Sequence, residues 1–392
     1  MIRSISIEGG WPLESYTNEM QRCYARQPQA VRQILKAMPL TLQSIEQICR
    51  EQRFRCIILL GIGSSYHALR MACAYARTIL EIPVFVQTPE QLGWIDTQSG
   101  SGIVAIAASQ SGTSINMLKG IRGLKARKVP VVLITQHEDS PMGKEADCVL
   151  PLRMQEEKAG PKTMGVLATA ITAAFALCKL NRQTGLWMEE LMVSCAAFAD
   201  RLEENLQAAK QYALRHADEF KSHSAWIVTG CGPLSAAAGE AALKLTETLR
   251  EPAVAYELEE LVHGPCACLS RRTILMCLST AWDERDRIDT LCGLCEETGS
   301  TACDIVVTQG GTIEQGNRLL LSCPRHVLFS SLMLLLPAQA ISAWVSPEKG
   351  IDLDLRIFPA WTAALGSHLP EVDCKIKLNT QKRSIEIRDL LE

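Results

Sequence analysis

Two carboxylates, one ammonium and one imidazole carry the chemistry that this chain can do. Glu240, Lys244 and Glu247 fall at i, i+4 and i+7 within GEAALKLTETLREP. That spacing places them on one stripe of a helix. Ala241, Ala242, Leu243, Leu245 and Leu249 supply the apolar positions of the same helix, expected over 236–250. Pro252 disfavours a helical conformation at Glu251 and ends it. A second acidic turn leads to His263, and Gly264-Pro265 stops that turn just after the histidine. Carboxylate, ammonium and imidazole on a rigid frame suit proton abstraction beside a carbonyl and the opening of a sugar ring. The plainer alternative is a solvated Glu–Lys pair and a loop histidine.

These groups need a partner site for substrate, and the N-terminal half offers one. Cys56 to Leu60 is a continuous apolar run, which reads as a buried parallel strand. Gly61-Ile62-Gly63-Ser64-Ser65 follows, then a helix from about Tyr66. Such a turn presents free main-chain N–H groups and the positive end of a helix dipole to an anion. Tyr66 occupies the third glycine position of a dinucleotide fingerprint, so that motif is absent. A second strand, Ile103 to Ala108, runs into Ser109-Gln110-Ser111-Gly112-Thr113-Ser114 and a helix to about Ala126. Several neutral hydroxyls with main-chain N–H groups suit a phosphate monoester. N-capping alone needs one hydroxyl, not four.

Further strands are expected at 83–86, 131–135 and 148–152, giving about five parallel strands. Residues 187–222 read as a charged helical bridge. The pattern then recurs: a strand at 225–229, a glycine loop from Gly230, and the helix that carries Glu240. Gly230 follows Gly61 by 169 residues, which fits a tandem duplication. Strands at 274–278 and 304–308 and a helix over 326–346 complete the second half. That half has Ser279-Thr280-Ala281-Trp282 where the first has its hydroxyl loop. The first half is therefore expected to hold the phosphate, and the second to supply Glu247 and His263. The fold class is α/β, with two tandem doubly wound parallel-sheet domains.

The 392 residues suffice for two or three domains with substantial cores. Hydrophobic residues make up 47% and charged residues 21%, with net charge −3. No basic field draws in nucleic acid, and no Lys/Arg-rich run suggests a membrane anchor. The sixteen cysteines are spread through expected strands and helices, as small buried hydrophobes. Cys292-x2-Cys295 has no second pair to complete a zinc site. Reduced thiols and a cytoplasmic location are expected. The N-terminal MIRSISIEGGWPLES lacks the apolar segment of a signal peptide. The uncharged run Val327–Val345 is long enough to raise a membrane question, but Pro337 and several polar residues favour a buried helix.

The stretch 239–265 resembles the second sugar-isomerase (SIS) domain of glucosamine-6-phosphate synthase and of the fructosamine-6-phosphate deglycases. The family motif reads E-x-A-L-K-L-x-E, followed by H-G-P. Glu240, Lys244 and Glu247 fall on the first part, and His263 comes sixteen residues after Glu247. The serine loop resembles the S-x-S-G-x-[ST] phosphosugar signature of the SIS family. Met20, Gln27 and Pro28 resemble the family's lead-in segment, with Cys23-Tyr24 replacing its usual Glu-Ile. In EEKAGPKTMGV, Glu157 and Thr163 match a sugar-contacting segment; Gly160-Pro161-Lys162 and Met164 depart from it. Lys162 reads either as a partner for an anionic substrate group or as an exposed loop lysine. Asp352-Leu353-Asp354 is retained, but Trp361 stands where the family has a Schiff-base lysine. The sequence shows no Cys-nucleophile glutaminase segment, so glutamine-dependent amination is not expected of it.

The resemblance implies a helical lead-in at 1–50, a first SIS domain at 51–186, a linker at 187–222, a second SIS domain at 223–350 and a tail at 351–392. It implies a homodimer or larger homo-oligomer, with His263 reaching the neighbour's site. It implies catalysis by Glu247, His263 and Lys244. The sugar phosphate would dock on Gly63, Ser64, Ser65, Ser109, Gln110, Ser111, Ser114, Lys162 and Thr163. No metal or organic cofactor is expected, because a carbonyl beside the C–H bond already acidifies it. The leading expectation is a fructosamine-6-phosphate deglycase. An aldose–ketose isomerase, an aminosugar-phosphate deaminase and a non-catalytic phosphosugar sensor are the alternatives.

Overall fold

The computed structural model describes residues 16–51, 54–94, 102–181 and 184–355, together with Leu365. Trp361 and most of the 351–392 tail lie outside the described residues, as do residues 1–15.

The first unit is a five-stranded parallel sheet in the order β2-β1-β3-β4-β5. Its strands are β1 (Cys56–Leu60), β2 (Val84–Gln87), β3 (Ile103–Ala108), β4 (Val131–Thr135) and β5 (Cys148–Pro151). Helices α1 (Glu19–Ala25), α2 (Gln27–Thr41) and α3 (Glu46–Glu51) precede it. Helices α4 (Ser64–Ile79), α5 (Ile115–Ala126), α6 (Pro141–Glu145) and α7 (Met164–Leu180) connect and cover it. Then come α8 (Thr184–Arg215) and α9 (Ala217–Ser222).

The second sheet has the order β10-β11-β9-β8-β6-β7. It comprises β6 (Ala225–Gly230), β7 (Ala253–Glu257), β8 (Thr273–Thr280), β9 (Thr301–Thr308), β10 (Ile313–Gln315) and β11 (Arg318–Ser322). Among the described strands of this sheet, β10 and β11 pair antiparallel and the other neighbours pair parallel. Its helices are α10 (Ser235–Leu249), α11 (Leu258–Val262), α12 (Arg285–Glu297), α13 (Val327–Met333) and α14 (Leu336–Glu348).

Both sheets thus share one parallel order, second strand outside the first and the third inside it. The reversal lies between β1 and β3 in one unit and between β6 and β8 in the other. Ligands of open α/β sheets bind at such a reversal, beyond the strands' C-terminal ends. The expected turns after β1 and β3 meet there.

The central strands β1, β3, β4, β6, β8 and β9 are buried on both faces along nearly their whole length, which explains their apolar runs. Ile57 and Leu59 face one cluster, while Ile58 and Leu60 face another. Trp226 and Val228 of β6 join the first cluster, and Ile227 faces away to a third. The shared cluster is a helical layer between the two sheets, built from α4, α7, α8, α10, α13 and α14. Helix α8, read from sequence as a charged bridge, is part of this core. It buries Leu191, Cys195, Phe198, Leu202, Leu206 and Ala209 at helical spacing along its 32 residues. Each fully buried Leu or Phe contributes roughly 1.5–3 kcal/mol, far more than a solvated charge pair on the same helix.

Some elements differ from expectation. Helix α4 starts at Ser64, so Ser64 and Ser65 form its first turn rather than a preceding loop. Pro252–Tyr256 was expected only to be non-helical; its residues pair with β6 as β7. Strands β10 and β11 were not foreseen, because Gly310, Gly311 and Gly316 break up the run and Arg318 masks an apolar strand. The helix expected at 326–346 is two, and Pro337 lies in the first turn of the second, where its missing N–H is harmless. Val327–Glu348 is long and apolar enough to cross a membrane by length and composition, and 89% of its most apolar window is buried inside the fold.

The two units meet where α4 crosses α10. A Cβ placed on Gly239 of α10 would fall 2.6 Å from His67 Cε1 and 3.2 Å from Arg70 Nη1, both on α4. Gly239→Ala is therefore expected to destabilise the fold by roughly 1–3 kcal/mol through overpacking. Chemical denaturation checks this. Ala itself favours the helix over Gly by about 1 kcal/mol, so the decisive comparison is the double variant. Gly239→Ala should be better tolerated in a His67→Ala background, and an equal effect in both backgrounds would contradict the close packing.

Candidate active site

The stripe Glu240–Lys244–Glu247 lies in this joint. Glu240 is 0% and Lys244 1% exposed, whereas the Glu247 side chain is 39% exposed. The plainer reading of a solvated pair therefore fails for Glu240 and Lys244. Lys244 Nζ lies 3.6 Å from Glu240 Oε1 and bonds Glu247 Oε2 directly. Burial alone would lower the Lys244 ammonium, but Glu240 and Glu247 outweigh it and hold it above its ordinary value. Burial pushes the Glu240 carboxyl up to about 7, against the pull of Lys244.

Glu240 also reaches the first unit. Ser64 Oγ donates to Glu240 Oε1 at 3.0 Å, across 176 residues of chain. The other oxygen, Oε2, is buried and has no hydrogen-bond partner among the described residues. Ser64 is the first residue of α4, a helix of 16 residues. The N-terminus of α4 and the acid–base stripe of α10 are thus joined by one hydrogen bond.

The remaining expected residues divide into two groups. Gly63 (φ 58°) turns the chain into α4, and no group among the described residues takes its N–H. Ser65 is half-buried and Ser114 N-caps α5 without a side-chain cap bond. Ser111 is exposed and shares a 3.0 Å hydrogen bond with Thr113. Ser109 accepts the Gly112 N–H at 3.3 Å, and Gln110 Nε2 donates to Gln136 Oε1 at 3.0 Å. These residues gather at the reversal between β1 and β3.

Lys162 and Thr163 are instead engaged in building their own loop. Lys162 Nζ donates to the carbonyls of Glu157 (3.1 Å) and Ala159 (2.7 Å). Thr163 is fully buried; its N–H and hydroxyl both donate to Glu157 Oε1, at 2.7 and 2.8 Å. Glu157 also accepts from Met164 N and Gly165 N, so it caps α7 from six residues upstream. Its carboxylate adds to the field that keeps Lys244 charged. Glu157 and Glu240 are the two site residues that sequence reasoning left out of the set. Glu240 stood in the motif, but its burial was not readable. Glu157 caps from outside the span of any local capping rule.

His263 does not join the cluster. It is exposed, follows α11 as its C-cap, and has no side-chain bond among the described residues.

Residues 52–178 match the SIS domain family. The SIS match thus covers the first sheet and both hydroxyl turns. Over 363 residues the chain is 25% identical to the glutamine–fructose-6-phosphate aminotransferase (isomerizing) of Caulobacter vibrioides, covering 90% of this chain but 59% of that protein. A structure from Clostridium difficile 630, proposed to be a phosphosugar isomerase, superposes with TM-score 0.80 at 19% identity, covering 90% of this chain and 99% of that one. A glucosamine-6-phosphate deaminase from Thermotoga maritima superposes with TM-score 0.69 at 19% identity, over 86% and 97% of the two chains. The α/β fold shared with these structures therefore extends across both units.

The raised Glu240 carboxyl has a signed consequence. Between its ordinary value of 4.5 and about 7, the folded chain keeps a proton that the unfolded chain releases. Its contribution to stability is present below that window and is lost as pH rises through about 7. Glu240→Gln should flatten this fall. Melting curves of both proteins across that range should converge or cross as pH rises; a constant gap would contradict the buried carboxyl.

Proposed function

We propose that this chain is an enzyme that moves a proton between C1 and C2 of an open-chain sugar 6-phosphate, with the second unit a further SIS domain. One observation carries the reading. The acid–base stripe of α10 is hydrogen-bonded, through Glu240, to Ser64 at the open helix end of the SIS unit. A phosphate on the hydroxyl loop would leave the carbon end of the sugar near that contact.

In this reading the phosphate is held by Ser109, Gln110, Ser111 and Ser114, with Gly63, Ser64 and Ser65 at the adjacent turn. Glu247 is the base, because it alone of the three α10 charges is solvent-facing while still bonded to Lys244. Lys244 stays protonated and steadies the charge on Glu247 and on the developing enediol or enaminol oxygen. Lys162 and Thr163 act by holding the Glu157 loop. His263 assists ring opening from the neighbouring copy of a homo-oligomer, consistent with its exposure here.

The substrate class that we favour is a fructosamine 6-phosphate. Glu247 takes a proton from C1, which bears the amine, and the C2 carbonyl accepts the electrons as an enaminol. Protonation at C2 gives the glucosylamine in its imine form. Water adds at C1 and the amine leaves, yielding hexose 6-phosphate and free amine. A second reading, a phosphosugar sensor without turnover, is favoured by the separation of His263 from the stripe within one chain.

The test is a coupled assay for hexose 6-phosphate release from fructoselysine 6-phosphate, other fructosamine 6-phosphates and glucosamine 6-phosphate. Turnover should fall by ~10²–10⁴-fold in Glu247→Gln, the usual cost of removing a general base. Near wild-type turnover in that variant would refute the assignment of Glu247. Binding of these compounds with no turnover of any of them would favour the sensor.

A further inference from the structure

The same glycine turn occurs twice, and the two copies end differently. Gly63 follows β1 with φ 58° and leaves its N–H without a partner among the described residues. Gly232 follows β6 with φ 51°, 169 residues later. Its N–H donates to Glu257 Oε1 at 3.0 Å. The other oxygen of that carboxylate accepts the Glu259 N–H at 2.7 Å. Glu257 ends β7 and N-caps α11, whose last turn leads directly to His263. The position 169 residues before Glu257 is Thr88, which has no carboxylate. Two hydroxyls of the second reversal are buried and bonded to charged side chains. Thr280 donates to Asp283 at 2.9 Å, and Ser279 accepts from Arg285 at 2.7 Å.

We infer that Glu257 is the built-in occupant of the second reversal and a positioning residue for the turn that carries His263. Its carboxylate bonds the glycine N–H that stays open in the first unit. In doing so it ties the loop before α10 to the start of α11. Helix α10 carries Glu240, Lys244 and Glu247, so one side chain connects the frames of both groups of functional residues. Desolvation works against the Glu257 charge, but the main-chain N–H groups of Gly232, Glu259, Glu260 and Leu258 outweigh it and hold the carboxyl below its ordinary value. The staple is therefore ionised at neutral pH. The occupancy claim deepens the reading of a single sugar phosphate per chain, seated on the first unit, and rests on it; the staple itself does not.

Hydrogen exchange on the full chain tests the staple without any substrate. Hydrogen bonds to a charged group stabilise by about 1.5–3 kcal/mol, so in Glu257→Ala the amides of 231–235 and 258–264 should exchange ~10-fold faster or more. The first-unit turn at 61–66 should not change. Glu257→Gln should be intermediate, because its oxygen keeps one N–H while its NH₂ faces the other. Unchanged exchange at both segments in a folded Glu257→Ala would overturn the staple, as would acceleration of one segment alone. Calorimetric titration with glucose 6-phosphate tests the occupancy. One molecule per wild-type chain is expected, and two would overturn it. No binding at all would count against the sugar phosphate reading and leave the exchange result to decide on Glu257.

Discussion

The buried ammonium of Lys244 is the constraint on which the joint between the two units depends. A charge this far from water needs partners, and removing one partner of a buried pair typically costs about 3–5 kcal/mol. Glu240 and Glu247 supply them from the same helix, one turn to either side. Glu240 is itself too buried to stand alone, so it draws in Ser64 from the other unit. The arrangement ties α4 to α10 by charge and hydrogen bonding where Gly239 and His67 already tie them by shape.

From that joint the rest of the architecture follows. Helices of both units share one apolar layer, and both sheets point the ends of their central strands toward their own reversals. Among the described residues, one reversal keeps its glycine N–H open and exposes Ser111. At the other, Glu257 takes the Gly232 N–H, and Asp283 and Arg285 bond Thr280 and Ser279. The two halves are thus unequal at matching glycine turns: a carboxylate takes the Gly232 N–H, and none takes that of Gly63 among the described residues.

Much of this was legible in the sequence because it is periodic or local. The apolar runs of β1, β3, β4 and β6 read as buried strands, and the 169-residue offset between Gly61 and Gly230 pointed to a similar turn in each half. The Glu240–Lys244–Glu247 stripe follows from helical spacing alone. What was not legible depends on contacts across the chain. Spacing says that Glu240 and Lys244 share a face, not that the face is buried against α4. Lys162 reads as a free cation until its own loop's carbonyls surround it. Glu157 reaches forward to an N-terminus outside any capping rule. Strand β11 exists because β9 offers a parallel edge, although Arg318 and the glycines before it read as loop.

The central claim is that a carboxylate of the second unit removes a carbon-bound proton from a sugar phosphate held by the first. Proton exchange with solvent reports this directly, whatever the net reaction. The chain would be incubated with fructose 6-phosphate in D₂O and deuterium at C1 and C2 followed by NMR. The account predicts incorporation by the wild-type protein, and loss of incorporation with retained binding in Glu247→Gln. Binding without incorporation by the wild type, or equal incorporation by the variant, would contradict it.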